Sequence, residues 1–465
     1  MKASYARSLL VIGSLAITTT IARAQPEVSD VEELVKPAEP TAASYEGDVV
    51  VRRSYLVPAI ELVVFNIGAN LGSRAAGEEW AEATPSSAWH NLTHEWVYDN
   101  DLFSVNQLAH PYGGAMLYSG ARSSGHDFWV SSAYAFAGSL LWETLMETEP
   151  PSINDQITTS IGGAFIGEAL HRWGRAVRGG GAHPGPGREL LSAVIDPAGT
   201  ANREVFGDSW RRVPPPRLHA FMGVGYNAPL DDTTSGPFHG ELAVSHGLPS
   251  DARFEPRVPF HHFDLRGQLN ASTEHVTGYL DIRGMLFGTA TGEADQRAIW
   301  GAFGSYSYWD AEGVRAGAIG FGPGVAVHQQ LGERGFLDGS ALVALVPWGA
   351  AGGTGDVEGM RDYEHGPGGA GVLEAKLGRR GLGMIRASGR AIAINGALVG
   401  DTRETVVVSS IGAMAAVAEH HALGVDVVYS ARHANFTDAT ASALDQRAQV
   451  RVMYAVMSDD RFGGP

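Results

Sequence analysis

The stretch HFDLRGQLN, residues 262–270, decides the fold class because polar and apolar side chains alternate along it. In an extended strand, His262, Asp264 and Arg266 fall on one face, while Phe263 and two leucines fall on the other. A strand with one ionisable face and one apolar face is typical of a sheet that separates water from an apolar phase.

The same alternation recurs from residue 217 to residue 458, in segments separated by Gly, Pro, Asp and Asn turns. We count about twelve segments, an even number as in bacterial outer-membrane barrels. The region 217–458 therefore predicts an antiparallel transmembrane β-barrel, with a soluble sandwich or a lipocalin-like barrel as the alternative. The ionisable residues predicted to face the lumen are His262, Asp264, Arg266, Asp281, Arg283, Arg386, Arg390, Asp445, Arg447 and Arg451.

The N-terminus has the features of a secretory signal. Residues 1–24 combine early basic residues, a short apolar core and a small-x-small site, which predicts cleavage between Ala24 and Gln25. The apolar core is shorter than the roughly 20 residues that a spanning helix needs. Residues 25–54 are acidic and proline-containing, which predicts a disordered linker. We therefore expect an exported protein of the outer membrane.

The composition excludes several functions. The 465 residues carry a formal net charge of −17, which argues against a nucleic-acid partner, and they include no Cys. Disulfides, thiolate metal sites and a cysteine nucleophile are therefore excluded. His90 and His94 lie four residues apart but lack an obvious third ligand, so we predict no metal site and no cofactor. The expected partners are outer-membrane lipid, the barrel-assembly machinery and a small solute or lipid ligand.

A helical pattern occupies residues 55–178, ahead of the barrel. Apolar residues recur at helical spacing from Leu56, and the run PPSIND that begins at Pro150 contains helix-start signals. The fold class is therefore α+β, with four helices preceding the barrel and a Gly/Pro-rich linker over 179–216. We expect the helices to plug the lumen or to cap its periplasmic mouth. A plug is favoured because helical carboxylates could pair with lumen arginines.

Polar residues interrupt the apolar stretches of these helices. They are Asn106, Gln107, His110, Tyr118, Arg122, Glu143, Asn154, Asp155 and Glu168. A carboxylate on an apolar helix face must be paired or must titrate at a raised pKa. The simplest interpretation is a buried polar network that locks the helices together.

An alternative is a hydrolase or acyltransferase that acts on lipid. His110 would be the general base, Asp155 or Glu143 would orient it, and Ser132 or Ser139 would be the nucleophile. The candidate catalytic residues are His110, Glu143, Asp155 and Glu168. No Gly-x-Ser-x-Gly elbow occurs in the chain. The sequence leaves open whether the protein is an enzyme, and a structural or transport barrel is the first expectation.

One motif-rich stretch resembles a known family. Residues 100–114 read NDLFSVNQLAHPYGG, and PSIND follows from Pro151. Gly-Pro-Gly turns lie at 322–324 and 366–368. Together these motifs resemble the bacterial family named domain of unknown function 3943, over about residues 55–380. The resemblance implies an envelope location and this architecture, and it assigns no substrate.

Overall fold

A computed structural model gives the fold of most of the chain. The described residues are 49–50, 52–99, 101–179, 185–211, 216–230, 237–271, 276–293, 295–311, 314–352, 363–396, 402–436 and 442–458. The predicted signal peptide, its cleavage site at Ala24 and Gln25, and most of the predicted acidic linker lie outside these residues.

Helices occupy the first part of the described chain. Among the described residues they are α1 (Leu56–Ala75), α2 (Pro85–Thr93), α3 (His110–Ser123), α4 (Phe128–Leu141), α5 (Ile153–Ile157), α6 (Gly163–Arg178), α7 (Pro186–Ile195) and α8 (Pro197–Phe206). Three π-helical turns flank them, at Val105–Ala109, Trp142–Met146 and Thr158–Gly162. We call residues 52–211 the helical block.

Local capping explains where several helices begin. The Asp127 carboxylate accepts a hydrogen bond from the Val130 amide at the start of α4, and Ser152 does the same for Asp155 at the start of α5. Such caps satisfy amides that have no partner inside the helix. Proline lies in the first turn of α2, α7 and α8, where its missing N–H costs nothing.

The linker predicted over 179–216 is corrected by the structure, because α7 and α8 lie within that range. Each of the two helices begins with a proline, and Asp196 caps α8 by accepting from the Gly199 amide. The sequence analysis attributed these prolines and glycines to a linker. In the structure they mark helix starts.

The strands after the helical block form a closed barrel. The two short strands β1 (Val49–Val50) and β2 (Trp210–Arg211) pair only with each other. The barrel strands are β3 (Leu218–Pro229), β4 (Phe238–His246), β5 (Phe263–Ala271), β6 (Val276–Glu293), β7 (Gln296–Ala311), β8 (Val314–Leu331), β9 (Gly335–Gly352), β10 (Glu364–Arg379), β11 (Gly383–Gly396), β12 (Thr402–Ala418), β13 (His421–Phe436) and β14 (Ser442–Met457).

All neighbouring barrel strands are antiparallel, and β14 pairs with β3 to close the ring of twelve. The predicted fold class, a helical block followed by a barrel of about twelve strands, is confirmed. Closure removes the exposed strand edges that an open sheet would present.

Ion pairs across the barrel identify the inner face of the wall. Arg266 in β5 contacts Glu374 in β10 at 2.8 Å, although five strand-to-strand steps separate β5 from β10. Only inward-pointing side chains can meet in this way. Because side chains alternate along a strand, Phe263 and Leu265 on β5 point outward.

The helical block packs against the outside of this wall. Tyr306 alternates with the inward-facing Ser305 and Ser307, and its hydroxyl donates a hydrogen bond to the Gln107 carbonyl. The ring of Phe165 in α6 occupies the space over Gly304, which also points outward. The sequence analysis favoured a plug inside the lumen; the structure places the helices outside it.

The charges explain why the plug expectation failed. Four lumen arginines pair with carboxylates of the barrel itself and so leave no demand for helical carboxylates; they are Arg266, Arg283, Arg386 and Arg390. In the helical block, Glu168 is paired with Arg122 and Arg172 of the same block. Glu168 and Glu374 are therefore each neutralised by arginines of their own half of the protein.

Part of the lumen is filled by residues 251–254 of the segment 247–262, whereas Phe260 of the same segment packs on Phe128 and Phe165 of the helical block. The Arg297 guanidinium donates to the carbonyls of Asp251 and Phe254. The Phe254 ring is fully buried in a cluster with the inward-facing Ile299 and Phe303. This segment joins β4 and β5, which have nine residues each and are the shortest strands of the barrel. Residues 251–254 therefore occupy the lumen beyond the point where these two strands end.

Helix α1 differs from the other helices in its exposed surface. It is long and apolar enough to cross a membrane by length and composition alone, and only 22% of its most apolar window is buried. Large apolar side chains such as Leu56 and Val64 are exposed along it.

Candidate functional site

A cavity of about 190 Å³ lies within the helical block, and we call it the acidic cavity. Its walls come from α1, α3 and α4 and from the segments that lead into α3 and α5. The apolar part of the lining consists mainly of Phe65, Trp80, Met116, Leu117 and Trp142. The rings of Trp80 and Trp142 meet edge to face, with their centroids 5.9 Å apart.

Carboxyl groups dominate the polar part of the lining. They belong to Asp99, Asp101, Glu143, Glu147, Glu149 and Asp155. His110 also lines the cavity, and the described lining residues include no Lys or Arg. A cavity with this lining attracts cations and repels anions.

Asp99 is the hydrogen-bonding centre of this cluster. Its carboxylate accepts from the side-chain amides of Asn106, at 2.6 Å, and Asn154, at 2.9 Å. Burial raises the pKa of Asp99, but hydrogen bonds from Asp155 and Asn154 outweigh that effect and bring the pKa to about 2. Asp99 is therefore ionised at neutral pH.

The other carboxyl groups hold protons more tightly. Burial raises the pKa of Glu143 to about 7, against one hydrogen bond that its carboxylate accepts from the Ser152 amide at 2.8 Å. Burial, followed by repulsion from Asp99, raises the pKa of Asp101 to about 7. Burial and the hydrogen bond to Asp99 raise the pKa of Asp155 well above its ordinary value. Near neutral pH, the cavity therefore contains both ionised and protonated carboxyl groups.

The residues of the enzyme alternative lie close together but do not form a triad. His110 Nε2 is 3.7 Å from Asp155 Oδ2, and burial lowers the pKa of this histidine. Ser139 lines the same cavity, but its buried hydroxyl has no hydrogen-bond partner among the described residues. The hydroxyl of Ser132 donates to the Phe128 carbonyl in its own helix. A nucleophile needs a base within hydrogen-bond reach, and neither serine has one here.

A second buried network holds the helices together. The fully buried Glu168 carboxylate accepts from the Tyr118 hydroxyl at 2.7 Å and from Arg122 Nε at 2.8 Å, and Arg172 Nε lies 2.7 Å away. Burial raises the pKa of Glu168, but the two guanidinium groups outweigh burial and bring the pKa to about 2. Two arginines and one carboxylate form a structural lock between α3 and α6.

The predicted polar network is therefore divided between three places. Asn106, His110, Glu143, Asn154 and Asp155 belong to the Asp99 cluster. Tyr118, Arg122 and Glu168 form the lock. Gln107 lies at the contact with the barrel wall, beside Gly317 and Tyr306.

The sequence analysis missed Asp99, Asp101 and Glu147 as site residues. Asp99 and Asp101 flank the start of the family-like motif at residues 100–114, so their place in that motif was an available signal. Glu147 follows a π-helical turn at Trp142–Met146, and no local pattern predicts which way its side chain points.

The barrel lumen contains a second group of charges, which we call the Glu374 layer. Arg266 and Arg283 each contact Glu374 at 2.8 Å, and Arg390 pairs with the same carboxylate. Nearby, Arg386 pairs with Glu241 and Asp426. Of the ten residues predicted to face the lumen, Arg283 and Arg386 form these ion pairs, Asp445 pairs with Arg432, and the other seven line lumen cavities; Glu374, Glu241 and Asp426 were not among the predicted residues.

Two lumen cavities of about 70 Å³ each border the Glu374 layer. On β5, Asp264 lines the first cavity and Gln268 lines the second, and Arg266 lies between them. Arg447 and Arg451 line the second cavity. The layer therefore separates one space from the other along the barrel.

The fold and these sites define a closed twelve-stranded barrel with an external helical block. Residues 95–198 match the family model described as "Domain of unknown function (DUF3943)", which confirms the resemblance over that range. The matched range contains the acidic cavity's carboxyl groups and the Glu168 lock. Comparison with curated proteins gave no match.

Several solved structures align with about half of the chain. The CymD monoaromatic hydrocarbon channel is 8% identical, covers 53% of this chain and 89% of its own, and gives a TM-score of 0.26. The Pseudomonas putida toluene transporter TodX is 8% identical, covers 52% of this chain and 88% of its own, and gives a TM-score of 0.23. The Escherichia coli outer membrane protease OmpT is 8% identical, covers 52% of this chain and 96% of its own, and gives a TM-score of 0.18. All three TM-scores are below 0.5, so the barrel class rests on the strand order of the chain itself.

Proposed function

We propose that the barrel spans the outer membrane and that its lumen is a gated passage for solutes, closed by the Glu374 layer. The observation that carries the membrane assignment is the polarity of the wall. Outward side chains such as Val343, Leu345 and Leu373 are 70%, 78% and 65% exposed. Exposed aliphatic side chains on the part of the outer wall that the helices leave uncovered are stable against lipid hydrocarbon and unfavourable in water.

The Glu374 layer supports a gate, because it consists of charges that pair across the lumen. Three arginines converge on one carboxylate, and cavities lie on both sides of it. Paired charges in a low-dielectric space hold each other strongly, so the layer stays closed until a competing ion or a movement of the wall separates them.

Solute passage also explains why the helices are outside the lumen. A plug would have to leave the barrel for solutes to pass, whereas helices on the outer wall leave the interior to the ion-paired layer. The wall strands that contact the helices also carry lumen residues. Tyr306 contacts the helical block while the adjacent Ser307 donates to Asp281 inside.

Conductance in planar lipid bilayers tests this proposal. We expect low conductance from the native protein and a higher single-channel conductance from the double variant Arg266→Ala with Arg390→Ala, because two of the three cations of the layer are removed. The matched control is Arg403→Ala, an exposed residue whose guanidinium donates to the Asn395 side chain at 3.2 Å. Equal conductance of the double variant and the native protein would show that the lumen is not a passage.

A further inference from the structure

We infer that the acidic cavity of the helical block binds a small organic cation with an apolar body, such as an aromatic or aliphatic amine. This site is distinct from the proposed passage through the lumen, because the helical block lies on the outer side of the barrel wall. The inference therefore stands or falls independently of solute transport.

The carboxyl groups of the acidic cavity lack a counter-charge of lysine or arginine among the described lining residues. Two other buried carboxylates of this protein are paired with arginine: Glu168 with Arg122, and Glu374 with Arg283. The acidic cavity has six carboxyl groups, and its described lining residues offer only His110 as a basic group. Glu143 and Asp155 are buried and Asp99 is ionised, and charge in such a site is costly unless it is paired, so a cation from outside the chain would complete this cluster.

The second argument is a set of unsatisfied polar atoms in the same cavity. The hydroxyls of Ser139 and Thr159 belong to residues that are 2% and 7% exposed, and neither hydroxyl has a partner among the described residues. The indole N–H of Trp80 is also buried without a partner. All three residues line the acidic cavity. A buried polar group without a hydrogen bond costs about 1–3 kcal/mol, which a bound ligand would recover.

The third argument is the shape and chemistry of the walls. The cavity volume of about 190 Å³ exceeds the roughly 150 Å³ of an engineered apolar cavity that binds benzene in another protein. The indole rings of Trp80 and Trp142 stand beside the carboxyl groups. Aromatic faces together with carboxylates are the groups with which proteins hold organic ammonium ions.

A metal ion fits this site less well. Among the described residues, no group of three or more His, Asp or Glu side chains is placed to hold a metal ion. The carboxyl groups are spread around an apolar space. An organic cation can fill that space and reach the carboxylates, whereas a bare metal ion can reach the carboxylates but cannot fill the apolar space.

The titration of the cluster gives a pH signature. Burial raises the pKa values of Asp101 and Glu143 to about 7, and Asp99 is ionised. The other titratable groups that face them are Glu147, Glu149, Asp155 and His110. A bound cation favours the ionised carboxylates, so its affinity should rise with pH as Asp101 and Glu143 lose their protons, and then level off.

The test uses the full-length protein in detergent and isothermal titration calorimetry with three probes. Benzylamine is the cation, benzyl alcohol is its neutral counterpart, and phenylacetate is an anion of similar size. We expect benzylamine to bind at least about tenfold more tightly than benzyl alcohol at pH 8, a difference of about 1.4 kcal/mol, and phenylacetate not to bind. Benzylamine should bind more weakly at pH 6 than at pH 8.

Two variants locate the binding. Asp101→Asn removes one negative charge and keeps the backbone of Asp101, whose carbonyl accepts from the Tyr363 hydroxyl. Ala69→Phe fills the cavity from the α1 side. Both variants should weaken benzylamine binding about tenfold or more, whereas the exposed Glu79→Gln outside the cavity should not.

Equal affinities for benzylamine and benzyl alcohol would overturn the proposal. So would unchanged benzylamine binding in Ala69→Phe, because binding would then lie elsewhere. Near-ultraviolet circular dichroism of each variant verifies that the helical block is folded. A variant that fails this check is replaced by Ala109→Phe, which fills the same cavity from the π-helical turn before α3.

Discussion

Trp129 in α4 stacks on Phe287 in β6, with 5.7 Å between ring centroids and 17° between ring planes. Phe287 points out of the barrel, so this contact joins the helical block to the outer wall. Phe165, Ile282 and Tyr306 belong to one buried cluster that includes residues of both parts. The wall is therefore part of the hydrophobic core of the helical block.

The first prediction concerns this interface. In Gly304→Val, the new Cβ would lie 2.6 Å from the Phe165 ring, and the strand backbone cannot move away from it. We expect the helical block to lose its docking while the barrel stays closed. Limited proteolysis in detergent should then cleave the helical block faster and leave the barrel as a protected fragment.

Gly389→Val is the matched control, because Gly389 lies on β11 and a Cβ there meets nothing within 4 Å. It should show the native cleavage pattern. Equal protection of the helical block in Gly304→Val and in the native protein would contradict the interface described above.

The second prediction concerns the Glu168 lock. Glu168→Gln leaves the guanidinium groups of Arg122 and Arg172 buried without their carboxylate. Removing one partner of a buried ion pair costs about 3–5 kcal/mol. Urea unfolding of the helical block, followed by tryptophan fluorescence, should show a loss of this size. Glu79→Gln on the surface should change the unfolding free energy by less than about 0.5 kcal/mol.

The third prediction is the pH dependence that the same carboxylate confers. Its pKa is about 2 in the folded protein and 4.5 in an ordinary environment, so the folded state binds this proton more weakly. The stabilisation is therefore complete above about pH 5 and is lost as the pH falls from 4.5 towards 2, by about 3 kcal/mol in all. Unfolding free energies measured from pH 2 to pH 6 should include this loss in the native protein, and in Glu168→Gln the total loss over the same range should be smaller by about 3 kcal/mol.

The fourth prediction tests the lipid-facing wall. Leu345 lies near the middle of β9 and is 78% exposed. Arginine at the centre of a lipid-facing strand costs about 2–4 kcal/mol, so Leu345→Arg should fold into lipid vesicles with a clearly lower yield. The gel mobility of heated and unheated samples measures that yield, and Leu345→Met is the control. If both variants folded equally well, the outer wall would not face hydrocarbon.

The alternation of polar and apolar residues along each strand predicts most features of the barrel. Asp264 and Arg266 point inward and Leu265 points outward because side chains alternate along any strand, whatever surrounds it. The partner of Arg266 could not be predicted in the same way. Glu374 alternates with Leu373 and Leu377, so its inward face follows from the sequence, but its contact with Arg266 depends on closure across five strands.

Local sequence patterns could not predict where the helical block lies relative to the barrel, for a different reason. Tyr306 and Tyr308 occupy the outward positions of β7, and an outward tyrosine has the same sequence signature whether it meets lipid or a helix. The acidic cavity could not be predicted from local sequence patterns either. Asp99 and Asp155 are 56 positions apart in sequence, and the parallel backbone bridge between Val97 and Ser152 brings their two segments together.

The surface that receives the helices is built from strands spread along the barrel, from Val244 in β4 to Ala350 in β9. No part of that surface exists until those strands have paired with one another. The helical block precedes those strands in the chain, and its docking depends on their pairing. Before the barrel strands have paired, Phe165 and Trp129 have no wall to pack against. We expect these exposed aromatic side chains to be a binding site for chaperones.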